Sequence, residues 1–523
     1  MSDTPVIPLA TLLQWLDDGQ ELAFIDVREE GLYGEGHPLL AVNVPYSVLE
    51  TALPPLVPRL NTRLALYAET PADAERAARR LAALGYSRVH RFDGGIDAWR
   101  AGGHALFSGV NVPSKAFAEC VEHSLHTPAI DAASLDRLIA SQADYVLLDS
   151  RTVEEYERFH VPTAVAVPSA ELVYRFADLV PSPDTLVVVT CAGRTRGIVG
   201  AQTLINAQIP NRVVALAGGT QGWRLSGLAT TTEAPRFFPA LSEAAREAAL
   251  ARARGVAERY AVPRIDAATL TQWQADPERT TYVFDVRNAD EYAAGHRADA
   301  IWGAGGQLVQ ALDKWVATRN ARLVLNDTDG VRATTTAHWL RQLGWEAYVL
   351  PEVAPGAGVA ARHPALREVP APLPVASAAP LLAVGAVLWS AQRSAAYRRG
   401  HPAGARWANR ARLADLLRQL PRQQPLLVFA DEPGLAEGIA IDALEAGIDT
   451  YVVAGSPADW AALGHEWQAS PGVPEDDQRL DYLFWLHDRH DGNLEASAAY
   501  IAWEEDLPRQ VGDHANARFR IQP

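Results

Sequence analysis

Cysteine is almost absent from this chain: 523 residues hold two, Cys120 and Cys191, so no disulfide framework can form and a reducing compartment suits a working thiol. Long apolar runs are missing as well. The most apolar window, Leu381 to Trp389, is too short to span a bilayer and follows a Pro/Ala-rich stretch. The N-terminus, Met1-Ser2-Asp3-Thr4-Pro5, has neither the basic start nor the apolar core of a signal peptide. A cytoplasmic protein with no membrane partner is expected. Positive charge is in deficit, and a formal net charge of −16 repels nucleic acid in bulk, so no nucleic-acid partner is expected either. Metal-ligand spacing is lacking. His487, Asp488, His490 and Asp491 crowd one helical stretch and point different ways, and neither a metal nor another cofactor is expected.

What is present is an ordinary globular composition, 48% apolar, in a length that suits about three or four domains. One stretch stands out. Val187-Val188-Val189-Thr190 is an apolar run that stops at Cys191 and opens into Ala192-Gly193-Arg194-Thr195-Arg196-Gly197, after which Ile198 to Ala207 takes a helical period. The unit is strand, tight loop, helix, and it places Cys191 at the carboxyl end of a strand, where ligands bind in open parallel sheets. A loop wrapped ahead of a helix N-terminus turns backbone N–H groups toward its centre. With Arg194 and Arg196 adding positive charge, the thiolate should be favoured and nucleophilic near neutral pH. Two arginines and two glycines within six residues are poor packing material, which argues against a merely structural cysteine. Cys120, in a connector without such neighbours, reads as a buried structural cysteine.

The chain also repeats itself at intervals of a little over a hundred residues. Asp149, Arg151, Tyr156 and His160 recur as Asp26, Arg28, Tyr33 and His37, as Asp285, Arg287, Tyr292 and His296, and, eroded, as Ser390 with Tyr397 and His401. The same offsets carry Cys191 to Ala68, to Asp327 and to the neighbourhood of Asp431. The loops Glu69 to Asp73 and Thr328 to Arg332 read as lacking a matching glycine-and-arginine nest. Four copies follow: 1–107, 128–232, 261–368 and 374–470, only the second with a nucleophile. Between and after them lie a connector at 108–127, an exposed helical linker at 233–260 joining two halves, a Pro/Ala/Val-rich linker from Pro351 to Pro380, and a tail at 471–523 whose aromatics imply that it packs on something. Alternating strands and helices predict an α/β fold, a small parallel sheet covered on both faces in each copy.

Cys191 to Gly197 resembles the active-site loop of the rhodanese family of sulfurtransferases. Asp149 to Ala164 is similar to that family's D-x-R-x-x-x-E-Y-x-x-G-H-I-P-G-A signature, with Phe159 and Thr163 in place of glycines, and Gly218-Gly219-Thr220-Gln221-Gly222-Trp223 to its G-G-x-x-x-W ending. Cys-dependent phosphatases instead hold Cys-x5-Arg; here the arginine comes one residue sooner, at Arg196. The resemblance implies four tandem rhodanese-like domains. It also implies that the Cys191 thiolate takes the outer sulfur of thiosulfate or a related persulfide donor, and that the persulfide is passed to a thiol or cyanide acceptor. In that reading the loop residues Ala192, Gly193, Thr195 and Gly197 stabilise the anion, while Arg194 and Arg196 bind the donor. Arg151 is a further candidate for that anion site, although its recurrence with an aspartate in copies without cysteine favours a structural ion pair. His160, shared by all copies, reads as a fold residue. Two classes stay open: a single-site sulfurtransferase, and a sulfur-carrier or regulatory scaffold module with little free turnover. Oligomeric state is not readable from the sequence.

Overall fold

A computed structural model describes residues 4–358, 371–420, 424–512 and 517–523. The boundary expected at residue 368 lies outside them, as do Met1 to Asp3. The chain is mixed α/β, with several small parallel sheets flanked by helices. In the sheet that carries Cys191 the order is Arg236–Phe237, Val165–Ala166, Tyr145–Asp149, Leu186–Thr190, Val213–Leu216, Ala129–Ile130, every neighbour parallel. The β-branched run Val187 to Val189 is fully buried because both faces of the strand are covered. Each such side chain contributes about 1.5–3 kcal/mol. The direction of winding reverses between Tyr145–Asp149 and Leu186–Thr190, whose chains leave to opposite sides, so a crevice opens at their carboxyl ends.

The other sheets repeat this plan. Leu22–Asp26 beside Leu64–Tyr67, Thr281–Asp285 beside Arg322–Asn326, and Val387–Ser390 beside Leu426–Phe429 are the corresponding central pairs. Register aligns Asp149 with Thr190, Asp26 with Tyr67, Asp285 with Asn326 and Ser390 with Phe429. The residues after these strands are therefore Cys191, Ala68, Asp327 and Ala430. Asp431, taken from the sequence as near the fourth nucleophile position, sits one residue beyond it, because erosion of the signature left the offset loose.

Two devices recur. A tyrosine stacks on a histidine four residues later, at 3.7 Å for Tyr33/His37, 4.1 Å for Tyr156/His160, 3.8 Å for Tyr292/His296 and 3.6 Å for Tyr397/His401. Each hydroxyl donates to a backbone carbonyl eight residues on, a fold role for the histidine. The second device is an aspartate gripped by the arginine two residues later: Arg151 Nε and Nη2 reach Asp149 at 2.7–3.1 Å, and Arg28/Asp26 and Arg287/Asp285 do the same. In the fourth copy the pair is neutral, Ser390 donating to Gln392.

Contacts divide the chain into two compact units, each counted over its described residues. One contains Met1–Asp18, Leu22–Val110 and Arg362–Leu483; the other contains Gly19–Glu21, Asn111–Ala361 and Phe484–Pro523. The first and fourth copies thus share a unit, and the second and third share another. Four sequence expectations change accordingly. The connector holds a 14-residue helix, Val112–Leu125, whose Phe117, Ala118 and Val121 are buried. The supposed exposed linker is the helix Glu243–Arg259, with Ala249, Ala253 and Val256 in the core that joins Val187 and Val189 to Phe284 and Leu323; alanines one turn apart let helices approach closely, a pattern that its charged residues hide. The end of the Pro/Ala/Val linker forms strand Leu373–Pro374 and helix Val375–Ala383. The expected tail divides between the units at Leu483 and Phe484.

Because Asp285 is fully buried and its charge is met by Arg287, Arg287→Ala should cost about 3 kcal/mol or more. Gln392→Ala, which breaks neutral bonds to Ser390 and the Gly400 carbonyl and one to Asp431, an exposed carboxylate that water can solvate, should cost less, about 1.5 kcal/mol. Urea unfolding of the two variants beside wild type checks the difference; equal losses would mean that the aspartate charge is not what the arginine satisfies.

Candidate active site

Cys191 follows the last residue of strand Leu186–Thr190, and helix Thr195–Asn206 starts four residues later. The loop's carbonyls face away from the sulfur. Cys191 O accepts from Thr220 N at 2.8 Å and Thr220 Oγ1 at 2.9 Å, and Ala192 O accepts from Gln221 N at 2.9 Å. That docking requires glycine next door: at Gly219, φ is +56°, and a Cβ would fall 2.4 Å from the Gly193 carbonyl oxygen and 2.5 Å from that of Cys191. With the carbonyls tied outward, the Gly197 N–H is left to bond Cys191. No side chain of the helix's own cap satisfies its first amides, so the sulfur serves in that place.

Arg196 is buried and forked onto Glu155, Nη1 to Oε2 at 2.5 Å and Nη2 to Oε1 at 2.8 Å. Burial works against the charge of Glu155, but Arg196 outweighs it and holds the carboxyl well below the usual range. Glu155 in turn caps its own helix in a reciprocal box with Thr152. Sequence reasoning left Glu155 out of the site. An internal signal was available: Glu291 and Arg332 form the same pair in the third copy, while the first and fourth copies lose both members, with Leu32 and Asp73, and Ala396 and Leu435, at those positions. The third loop is therefore not the mismatch expected. Its Asp327 occupies the nucleophile position as a fully buried carboxylate, bonded by the N–H groups of Thr328, Arg332 and Ala333 and by the Arg332 guanidinium.

Arg151 keeps to the structural ion pair that its recurrence favoured, and Arg194 departs from expectation. Arg151 spends its donors on Asp149, the Glu155 carbonyl and the Phe159 carbonyl, so it braces the strand end and has no fork left for an anion. Arg194 turns away onto Glu119, Glu122 and Glu505: Nε reaches Glu119 at 2.9 Å, Nη2 reaches Glu119 at 2.7 Å and also Glu122, and Nη1 reaches Glu505 at 3.1 Å. These carboxylates stand on Val112–Leu125 and Leu494–Val511, helices whose proximity no local pattern could announce. A fourth carboxylate comes closer. Glu504 Oε2 accepts the Arg194 backbone N–H at 3.2 Å, and Oε1 accepts the Thr195 hydroxyl at 3.0 Å and the Tyr500 hydroxyl at 2.9 Å. Lys115 Nζ lies 3.4 Å from the same oxygen.

These surroundings revise the expected acidity of the thiol. Cys191 is 2% exposed, and burial pushes its thiol up; Arg196, the Gly197 amide and Lys115 pull it down, and Glu504 pushes it up again. Cys120, half-buried on Val112–Leu125, is also pushed up, by burial and by Glu119. Beside the loop a narrow crevice is lined by Thr195 and Arg196 from the second copy and by Gly306, Thr336 and Trp339 from the third. No group of three or more His, Cys, Asp or Glu side chains able to hold a metal occurs among the described residues.

A family model described as "Rhodanese-like domain" matches residues 9–102 and 131–226. The crystal structure of a thiosulfate sulfurtransferase from Pseudomonas aeruginosa superposes with a TM-score of 0.91 at 38% identity, covering 99% of this chain and 100% of that one. An HTH-type transcriptional regulator from Mycobacterium tuberculosis is 34% identical over 92 residues, which is 18% of this chain and 40% of the regulator's length.

Removing Arg196 takes away the largest of the influences that pull the thiol down. In Arg196→Ala the pH profile of iodoacetamide alkylation at Cys191 should move to higher pH, and Arg196→Lys should recover only part of the change, since lysine keeps the charge and loses the fork onto Glu155. An unmoved profile in the alanine variant would leave the Gly197 amide and Lys115 to carry the effect.

Proposed function

Because this chain belongs to the rhodanese family, we propose that it is a sulfurtransferase that carries sulfane sulfur on Cys191. The observation that carries this reading is the placement of Cys191 at the carboxyl end of a central strand, with a helix N-terminal amide on its sulfur and the Arg196/Glu155 pair beside it. The donor is thiosulfate or a related persulfide. The thiolate attacks the donor's outer sulfur, a new S–S bond forms to Cys191, the donor's S–S bond breaks, and its electron pair leaves with sulfite from thiosulfate or with the thiolate of a persulfide. A thiol or cyanide then takes the outer sulfur of the persulfide and returns the thiolate. Negative charge stays on sulfur beside Gly197 throughout, so the same donors serve both halves of the cycle. No cofactor takes part.

Organisation follows the sheets. We assign four rhodanese-like domains, three of them without a nucleophile, at Ala68, Asp327 and Ala430. No helix among the described residues is long and apolar enough to cross a membrane, and we place the protein in the cytoplasm, where reduced thiols are the rule. One observation favours a second reading, a carrier that passes its persulfide within a complex: Cys191 is buried under a C-terminal helix rather than open to small molecules. Turnover with cyanide or a small thiol separates the two readings.

Thiosulfate should add one sulfur mass to the intact wild-type protein and to Cys120→Ser, and none to Cys191→Ser. Mass spectrometry of the three proteins checks this, and turnover retained by Cys191→Ser would end the reading. With Arg196→Ala, kcat/KM for thiosulfate should fall roughly ten- to a hundredfold, the usual worth of one charge-assisted contact.

A further inference from the structure

The Cys191 loop has an anion in it already. Glu504, 1% exposed, projects from helix Leu494–Val511 onto the first turn of helix Thr195–Asn206, taking one backbone N–H and one hydroxyl of that turn. The approach is close: a Cβ on Gly193 would lie 2.9 Å from Glu504 Oε2 and 3.3 Å from Tyr500 Cε1, so a side chain there would make the carboxylate shift. The helix is held there by Tyr500, Trp503 and Trp485, packed ring to ring at 5.2–6.3 Å, and by Arg489 over the Tyr500 ring at 3.7 Å. Facing Glu504 from helix Val112–Leu125 is Lys115, one of only two lysines in the chain. Lys115 meets Glu504 and the face of Tyr500, 5.7 Å from the ring centroid, and feels the like charge of Arg489, which lies over the same ring. Of the other charges here, Arg194 is taken by Glu119, Glu122 and Glu505, and Arg196 by Glu155.

Resting on the sulfurtransferase reading, we propose that Glu504 is a built-in stand-in for the anionic end of the sulfur donor, and that Lys115 is the specificity-determining cation that receives that end when Glu504 is displaced. A donor such as thiosulfate presents two parts at once, a sulfur for the thiolate and a sulfonate that needs amide, hydroxyl and ammonium partners. Glu504 now holds all three kinds: the Arg194 N–H, the Thr195 and Tyr500 hydroxyls, and Lys115. A compact ammonium with rotatable donors can follow either anion, which the forked arginines, locked to carboxylates, cannot. The exchange also turns on the nucleophile. While Glu504 is in place a carboxylate faces the sulfur and opposes its ionisation; when the donor takes its position, the helix and its charge withdraw together. Donor entry and activation of Cys191 become one event, and the persulfide is shielded from water whenever the helix is seated.

The test uses Glu504→Gln, which keeps acceptor geometry and removes the charge, and Lys115→Met, which keeps the stem and removes the ammonium. In Glu504→Gln the alkylation profile of Cys191 should move to lower pH and KM for thiosulfate should fall roughly three- to tenfold. In Lys115→Met the profile should move to higher pH and KM should rise by a similar factor. Thermal unfolding of both variants is followed in parallel. If Glu504 and Lys115 serve only to dock the helix, both variants lose stability and become more reactive to iodoacetamide at every pH, with no opposed shifts; that pattern overturns the proposal. The alkylation profiles require no sulfur donor. Opposed shifts in a protein that takes no sulfur from thiosulfate would therefore sink the sulfurtransferase reading while leaving the Lys115/Glu504 gate, whereas sulfur uptake without opposed shifts would do the reverse.

Discussion

A negative charge buried at the end of a central strand is the constraint on which this site is built. Water cannot solvate it, so the chain must supply donors of its own, and the strand, tight loop and helix do so by turning amides inward while the loop carbonyls are tied to Thr220 and Gln221. The third copy displays the solution with a permanent anion. Asp327, fully buried, takes three backbone N–H groups and the Arg332 guanidinium. Where Asp327 stands, the second copy has Cys191, and the Arg196/Glu155 pair matches Arg332/Glu291. An arginine tied to a glutamate beside such a nest stays in one orientation and keeps its positive charge at the strand end, where in the third copy it also bonds the anion itself.

The scaffold around that nest is assembled from segments far apart in sequence. Docking of the Gly218-Gly219 turn onto the loop comes from within the copy, and its positive-φ glycines allow the backbone to pass where no side chain fits. The rest comes from outside. Helix Val112–Leu125 brings Lys115, Glu119 and Glu122, and helix Leu494–Val511 brings Tyr500, Glu504 and Glu505. Their four carboxylates convert a loop with two arginines into one with little positive charge to spare: Arg194 is neutralised outright, and Glu504 offsets Lys115. An ion-paired, covered site differs chemically from an open basic one, since burial and Glu504 raise the proton affinity of the thiol that Arg196 and Gly197 lower.

The pairing of copies has the same origin. Second and third copies share one core because the small, apolar face of Glu243–Arg259 sits among Val187, Val189, Phe284 and Leu323. Read alone, that helix is Ala-, Glu- and Arg-rich and looks solvated. Burial of its alanine face is a property of what it meets, and a sequence pattern records only that the residues there are small.

By itself the sequence determined everything that is local or repeated. The strand that ends at Cys191, the loop and helix after it, the Asp/Arg and Tyr/His pairs and the parallel α/β plan are set by β-branched runs, helical periods and glycines acting over a few residues, and each is written more than once along the chain. Only tertiary structure decided which charges oppose one another. Arg194 belongs to three glutamates, Arg196 to Glu155, and Glu504 to the first turn beside Cys191. An arginine in a loop announces that a charge is available; whether it meets a substrate or a carboxylate depends on helices more than seventy or three hundred residues away, because a guanidinium in a dry site bonds to the nearest acceptor that folding delivers.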